Sequence, residues 1–224
     1  MTALPMQPTM SDPLVASYIN VTFPVQGTHL PANHGYLLYA AIMHTLPALH
    51  GMSWLGIELI SGIPWDKGMI ALPTYGARVC LRLPAQYFAE VLPLAGKRLK
   101  IAEHTIRLGI PMARPLVPAA SLYARIVTIK KFTEPIPFLE AAHRQLATLD
   151  INASLELPSD ERARCRRIIS IHGKKVVGFS LVARGLSDQD SITLQSLGLG
   201  GRRSMGCGIF NPIVNARHPQ GDAS

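Results

Sequence analysis

Two tandem βαββαβ units of the α+β class are what this sequence of 224 residues predicts. Three observations carry the prediction. Short stretches of alternating apolar and polar residues, rich in β-branched side chains, recur in both halves. Stretches of helical character interrupt them in the same order in each half. A proline-containing segment, PMARPLVP, separates the two series near residue 118.

In the first half, SYINVTF (17–23) reads as a strand. HGYLLYAAIMHTL (34–46) follows as a helix, opened by Pro31 and Asn33 and closed before Pro47. WLGIELIS and ARVCLRLP read as strands with a Gly- and Pro-rich loop between them. AQYFAEVLPL reads as a helix despite Pro93, KRLKIAEHTIRLG as a strand pair, and PMARPLVP as a linker. In the second half, SLYARIVTIK is a strand and IPFLEAAHRQLATLD a helix. RRIISI and VVGFSLVARG flank HGKK, a compact hairpin turn. Ser187 caps a short helix, with Asp190 three residues on, and GIFNPIVNA closes as a strand. The order is that of two ferredoxin-like (RRM-type) domains, residues 1–118 and 119–224.

Apolar residues make up 48% and charged residues 16%, a globular rather than a disordered composition. No apolar run approaches the ~18 residues of a membrane span, and MTALPMQPTMSDP lacks the basic start of a signal peptide. Cys80, Cys165 and Cys207 are widely spaced and form no CxxC pair. That pattern argues against a disulfide framework and a structural zinc site, so a cytoplasmic location is expected.

The formal net charge is +8, and it is unevenly placed. Residues 1–66 contain no Lys or Arg, yet hold His29, His34, His44 and His50. Residues 160–203 carry Arg162, Arg164, Arg166, Arg167, Lys174, Lys175, Arg184, Arg202 and Arg203 against four acids. An arginine-rich half of this kind suits phosphate binding.

GLGGRRSMGCGIF (198–210) sharpens that expectation. It is no Walker loop, because Arg202 precedes Arg203-Ser204 where Gly then Lys-Ser or Lys-Thr is required. Nor is it a dinucleotide loop: position 203 is Arg, and the loop runs from helix to strand, so no helix N-terminus faces a pyrophosphate. What remains is a side-chain-poor loop flanked by guanidinium groups, with Gly200, Gly201, Arg202 and Arg203 at its centre. The expectation is a backbone clamp on a phosphate.

This stretch resembles the C-terminal glycine-rich loop of the RAMP superfamily, the repeat-associated CRISPR proteins. LPANHGYLLYAAIMHTLPALHG resembles the first helix of the family's repeat-cutting endoribonucleases, and GLSDQDSITLQSLGLGGRRSMGCG resembles their last helix and loop. With RLPAQYFAEVLPLAGKRL between them, the likeness covers most of the chain and points to the Cas-six family, in its MYXAN-type branch. The resemblance implies two ferredoxin-like domains and metal-independent cleavage of CRISPR repeat RNA (pre-crRNA) into guide RNAs. The ribose 2′-hydroxyl would attack the adjacent phosphate, leaving a cyclic phosphate and a 5′-hydroxyl. No cofactor and no metal are implied, and the sparse acids form no obvious magnesium cluster.

In several family members the catalytic histidine follows the first helix in a Leu-His pair, which falls here on Leu49-His50. Others place it within the helix, matching His44, whereas His34 in NHGY suits a local hydrogen bond at the helix start. An imidazole serves as acid or base near neutrality and contributes roughly 10²- to 10⁴-fold. A family tyrosine and lysine sometimes assist. Tyr36 and Tyr39 lie on the helix, but no lysine follows His50 until Lys67, a departure from the full set.

ERARCRRIIS places four arginines within six residues ahead of Lys174 and Lys175. Arginines on an A-form stem contact phosphates and read shape, and the stacking aromatics of a single-strand RRM platform are absent here. The expected partner is a CRISPR repeat stem-loop, retained within an effector complex with other subunits. The alternative is a catalytically inactive RNA-binding subunit of a CRISPR ribonucleoprotein.

Overall fold

The computed structural model describes residues 17–158, 165–171 and 173–213. The chain divides into two compact units, Met1–Leu116 and Val117–Ser224. No helix among the described residues is long and apolar enough to cross a membrane.

In the first unit β1 (Tyr18–Gln26) leads through β2 (His29–Pro31) to α1 (Gly35–Thr45). Then come β3 (Gly56–Ile57), β4 (Ile63–Trp65), β5 (Met69–Ala71) and β6 (Arg78–Pro84). The unit ends with α2 (Phe88–Val91), β7 (Arg98–Ile101), β8 (His104–Leu108) and β9 (Met112–Pro115). The main sheet runs β3-β6-β1-β8-β7, with β9 on β1. β1 is antiparallel to β6, β8 and β9. Taking β1, β3, β6 and β8 as the four strands of the unit gives the ferredoxin-like order 4-1-3-2.

Alternation explains the layering. Val21, Phe23 and Val25 of β1 are buried, as are Val79, Leu81 and Leu83 of β6. They form one core with Leu38 and Ile42 of α1. On the other face Arg82 is wholly buried. Its Nη2 lies 3.1 Å from Glu58 Oε1 and its Nε donates to Asn20 Oδ1 at 2.9 Å. A buried guanidinium requires such partners.

The second unit contains β10 (Ser121–Val127), α3 (Pro135–Thr148), β11 (Ser154–Glu156), β12 (Arg166–Ile171) and β13 (Lys174–Arg184). It closes with α4 (Asp188–Leu197) and β14 (Phe210–Pro212). Its sheet runs β11-β13-β10-β14, and β12 also pairs with β13, again the 4-1-3-2 order. The long β13 pairs β12 along its first half and β11 along its second. Phe138 of α3 packs on Phe179 of β13 with ring centroids 4.7 Å apart. Ser187 caps α4 by accepting the Asp190 amide at 3.1 Å.

Three local expectations are revised. PMARP, expected to be linker, is the strand β9, paired with β1 from Ile19↔Pro115 to Thr22↔Met112. Prolines are tolerated on such a peripheral strand, which made it hard to read. The Gly- and Pro-rich loop holds β4 and β5, which join β2 in a small sheet, β2-β5-β4. AQYFAEVLPL is no continuous helix: four α-helical residues sit between two 3₁₀ turns, Ala85–Tyr87 and Leu92–Leu94.

Candidate functional site

In the first unit, α1 buries Leu38, Ile42 and Met43 on one side and leaves His44 exposed in its last turn. Pro47 ends the helix and opens a 3₁₀ turn, Pro47–Leu49, that returns His50 N–H to Pro47 O at 3.0 Å. Leu49 is buried and anchors the turn, and the next residue, His50, is extended (φ −65°, ψ 128°) and exposed. The Leu49-His50 pair thus works as plug and projection. The ring of Tyr39 stands beside that of His50, with centroids 6.2 Å apart and planes tilted by 43°.

His34 is different. It is wholly buried, with Nδ1 2.8 Å from Pro31 O and Nε2 3.0 Å from the Ile60 amide nitrogen. A carbonyl only accepts and an amide N–H only donates, so Nδ1 carries the proton and Nε2 accepts. This histidine ties the start of α1 to a segment 26 residues away. Lys67, the first lysine of the chain, lies exposed between β4 and β5 in the left-handed region (φ 52°), with its amide on Asp66 Oδ1.

In the second unit, the β12–β13 pair carries Arg166 and Arg167 at one end, opposite Phe179 and Gly178, and Lys174 and Lys175 at the other, opposite Ile171 and Ser170. Arg166, Lys174 and Lys175 are exposed and Arg167 is half-buried. Arg162 and Arg164 lie outside the described residues.

The glycine loop is built differently from the expected clamp. Gly200 N–H donates to Gln145 Oε1 at 2.7 Å, and Gly201 N–H to Thr128 O at 3.0 Å. Gly208 N–H donates to Ile126 O at 2.8 Å, and Leu199 N–H to Gly208 O at 3.3 Å. These amides serve the fold and are not offered outward. Glycine is needed because the backbones touch: a Cβ on Gly200 would stand 2.4 Å from Thr128 O, and one on Gly208 2.2 Å from Leu199 O. A Cβ on Gly201 would meet nothing within 4 Å.

The loop's side chains are what it presents. Arg202 is exposed and held in the left-handed region (φ 65°, ψ 36°), a strained position for a non-glycine residue. Its carbonyl accepts the amides of Met205 and Cys207, and its Nη1 lies 3.5 Å from Thr128 Oγ1. Arg203, half-buried, starts the following 3₁₀ turn and lies against Gly198.

Sequence reasoning missed how the loop and the basic strand pair connect. Both lean on residues 125–128 at the end of β10. Thr128 and Ile126 take the loop amides, while the Arg125 carbonyl accepts Ser180 Oγ, which in turn accepts Arg167 Nε. Arg125 itself was passed over as a strand residue. Its guanidinium is held below its ordinary value, chiefly by desolvation and then by the like charge of Arg167. Among the described residues no group of three or more His, Cys, Asp or Glu gathers to hold a metal.

Residues 19–215 match a protein-family model described as Cas6 Crispr. The chain is 40% identical over 203 residues to the CRISPR-associated endonuclease Cas6 of Myxococcus xanthus, covering 91% of this chain and 85% of that one. Two solved structures share the fold at low identity. One, a CRISPR-associated protein Cas6, is 12% identical with a TM-score of 0.65, covering 88% of this chain and all of the other. A second, from a Cas6-related gene of Pyrococcus furiosus, is 14% identical with a TM-score of 0.62, covering 88% and 98%.

Proposed function

Since this chain belongs to the Cas6 family, we propose that it is an endoribonuclease that cuts CRISPR repeat RNA without a metal. The observation that carries this reading is the exposed imidazole of His50, projected by a buried Leu49 and accompanied by Tyr39. Transesterification by the ribose 2′-hydroxyl needs a proton acceptor, a proton donor and a cation near the crowded phosphate. His50 takes or delivers the proton, and the Tyr39 ring flanks it. His44, in the last turn of α1, is the second candidate.

The second unit would hold the RNA backbone. Arg166, Lys174 and Lys175 contact stem phosphates, and Arg202 presents its guanidinium from the glycine loop, next in sequence to the half-buried Arg203. Gly200 acts by letting the loop pack on Thr128, so that Arg202 projects. After cleavage the stem-loop remains bound, as a component of an effector complex.

The test is cleavage of the repeat from the neighbouring CRISPR array with EDTA present. Products ending in a 2′,3′-cyclic phosphate and a 5′-hydroxyl are expected. Tight binding without cleavage would favour a non-catalytic RNA-binding subunit.

A further inference from the structure

Two arginines of the second sheet, Arg125 and Arg167, form no ion pair among the described residues. Strand β10 carries a bulge: Ala124 pairs with Leu181 and Val127 with Phe179, so Arg125 and Ile126 together oppose Ser180. A bulge of this kind re-aims a side chain. Gly178 makes it possible, since a Cβ there would stand 2.7 Å from Ile126 Cγ1 and 2.5 Å from Val127 O.

Ser180 is wholly buried, and its hydroxyl is fully used. It donates to Arg125 O at 2.8 Å and accepts Arg167 Nε at 2.9 Å and Tyr123 Oη at 3.4 Å. One donor and two acceptors are all a hydroxyl has. Arg167 is thereby held through Nε, which frees the two terminal nitrogens of its fork for another group.

The ion pairs of the second unit's described residues do not involve either arginine; Glu156 is taken by Arg184. Arg167 Nε and the Arg125 carbonyl meet on one Ser180 hydroxyl, and the like charge of Arg167 works against that of Arg125. Like charges held side by side on a sheet face, with no carboxylate between them, suit an oxyanion. Tyr123, whose hydroxyl lies on the same serine, limits the site on one side.

We propose that Arg125 and Arg167 close together on a single backbone phosphate of the bound RNA, with Ser180 fixing the Arg167 fork. The proposal rests on the RNA-processing reading above and adds Arg125, which no sequence pattern singles out.

The experiment measures affinity for the repeat RNA hairpin across a salt series, using the full-length protein and its R125A, R167A and R125A/R167A variants. Each single variant is expected to bind about tenfold more weakly, as befits a charge-assisted contact. Because one phosphate is shared, the double variant loses less than the product of the two singles. Its log-log salt slope falls by one contact, about 0.7–0.9, and not by two. Arg125→Lys restores slope more than affinity, because a point charge replaces a planar fork. Unchanged affinity and slope in R125A, with wild-type binding intact, would overturn this proposal alone, and so would multiplicative losses with a slope change of two contacts. Wild-type protein that binds no repeat RNA would overturn the parent reading as well. Melting temperatures of all variants check that the sheet is intact.

Discussion

The rings of Tyr39 and His50 lie 6.2 Å apart, one on the face of α1 and the other on the turn that Pro47 forces. The helix and the proline stop bring the two rings together, and both elements are seated on the first unit's core through Tyr39 and Leu49. The pairing gives a division of labour to test: the imidazole carries protons, and the tyrosine orients it or its substrate. Tyr39→Phe is expected to slow cleavage modestly, by less than about tenfold, with RNA affinity kept. A Tyr39→Phe loss as large as that expected for the histidine would make the phenol a proton carrier in its own right.

His34 is expected to matter to folding and not to chemistry. Removing its ring leaves Pro31 O and the Ile60 N–H without this buried partner. At about 1–3 kcal/mol per orphaned group, His34→Ala should lower unfolding stability by roughly 2–6 kcal/mol. Urea denaturation reads this, and cleavage per folded molecule should be spared. A stable variant with lost cleavage would contradict the assignment.

The loop glycines should separate into two classes. Gly200→Ala places a Cβ against Thr128 O at a φ of +74°, so a loss of roughly 2–4 kcal/mol is expected. Gly201→Ala meets nothing within 4 Å and should be tolerated in both stability and RNA affinity. If Gly201→Ala instead weakened RNA binding while keeping stability, close approach of RNA to the loop backbone would be indicated after all.

The buried thiols predict a loss of stability in alkali. Burial, with Glu58 adding to it, pushes Cys80 from 9.0 up to about 12, and burial pushes Cys207 up to about 11. Each folded-state value lies above the unfolded one, so the folded protein holds more protons as pH rises. The stability contribution is complete below about pH 9 and is lost as pH climbs toward 11 and 12. Cys80→Ala should flatten that alkaline decline relative to wild type. At pH 8 a thiol reagent should label the half-buried Cys165 in the native protein and reach the other two only after unfolding.

The basic strand pair should bind through phosphates. Arg166→Ala is expected to weaken repeat binding and lower the log-log salt slope by about 0.7–0.9. Arg203→Ala should do likewise from the glycine loop. An unchanged slope would remove either residue from the interface.

Period and punctuation made much of the fold legible. Helix 34–46 and strand pair 98–108 were readable because Pro47 and the alternation around Leu99, Ile106 and Leu108 mark them locally. β9 escaped because Pro111 and Pro115 mimic a linker, while its pairing with β1 is a long-range fact. The same limit applies to the candidate site. Leu49-His50 is a neighbouring pair and could be read in sequence, but the partners of His34 and of the loop amides could not. Gly200 and Gly201 signalled a close backbone approach, yet the backbone approached is Thr128 of the same unit. Arg125 acquires meaning only through a bulge and through Ser180, 55 residues away.

The central claim is that His50 performs proton transfer in a metal-independent cut. Single-turnover cleavage of the repeat hairpin in EDTA, by wild type and by His50→Ala, tests it most directly. The account predicts intact wild-type cleavage in EDTA and a rate roughly 10²- to 10⁴-fold lower for His50→Ala, with RNA affinity unchanged. Equal rates from the two proteins, or wild-type cleavage abolished by EDTA, would contradict it.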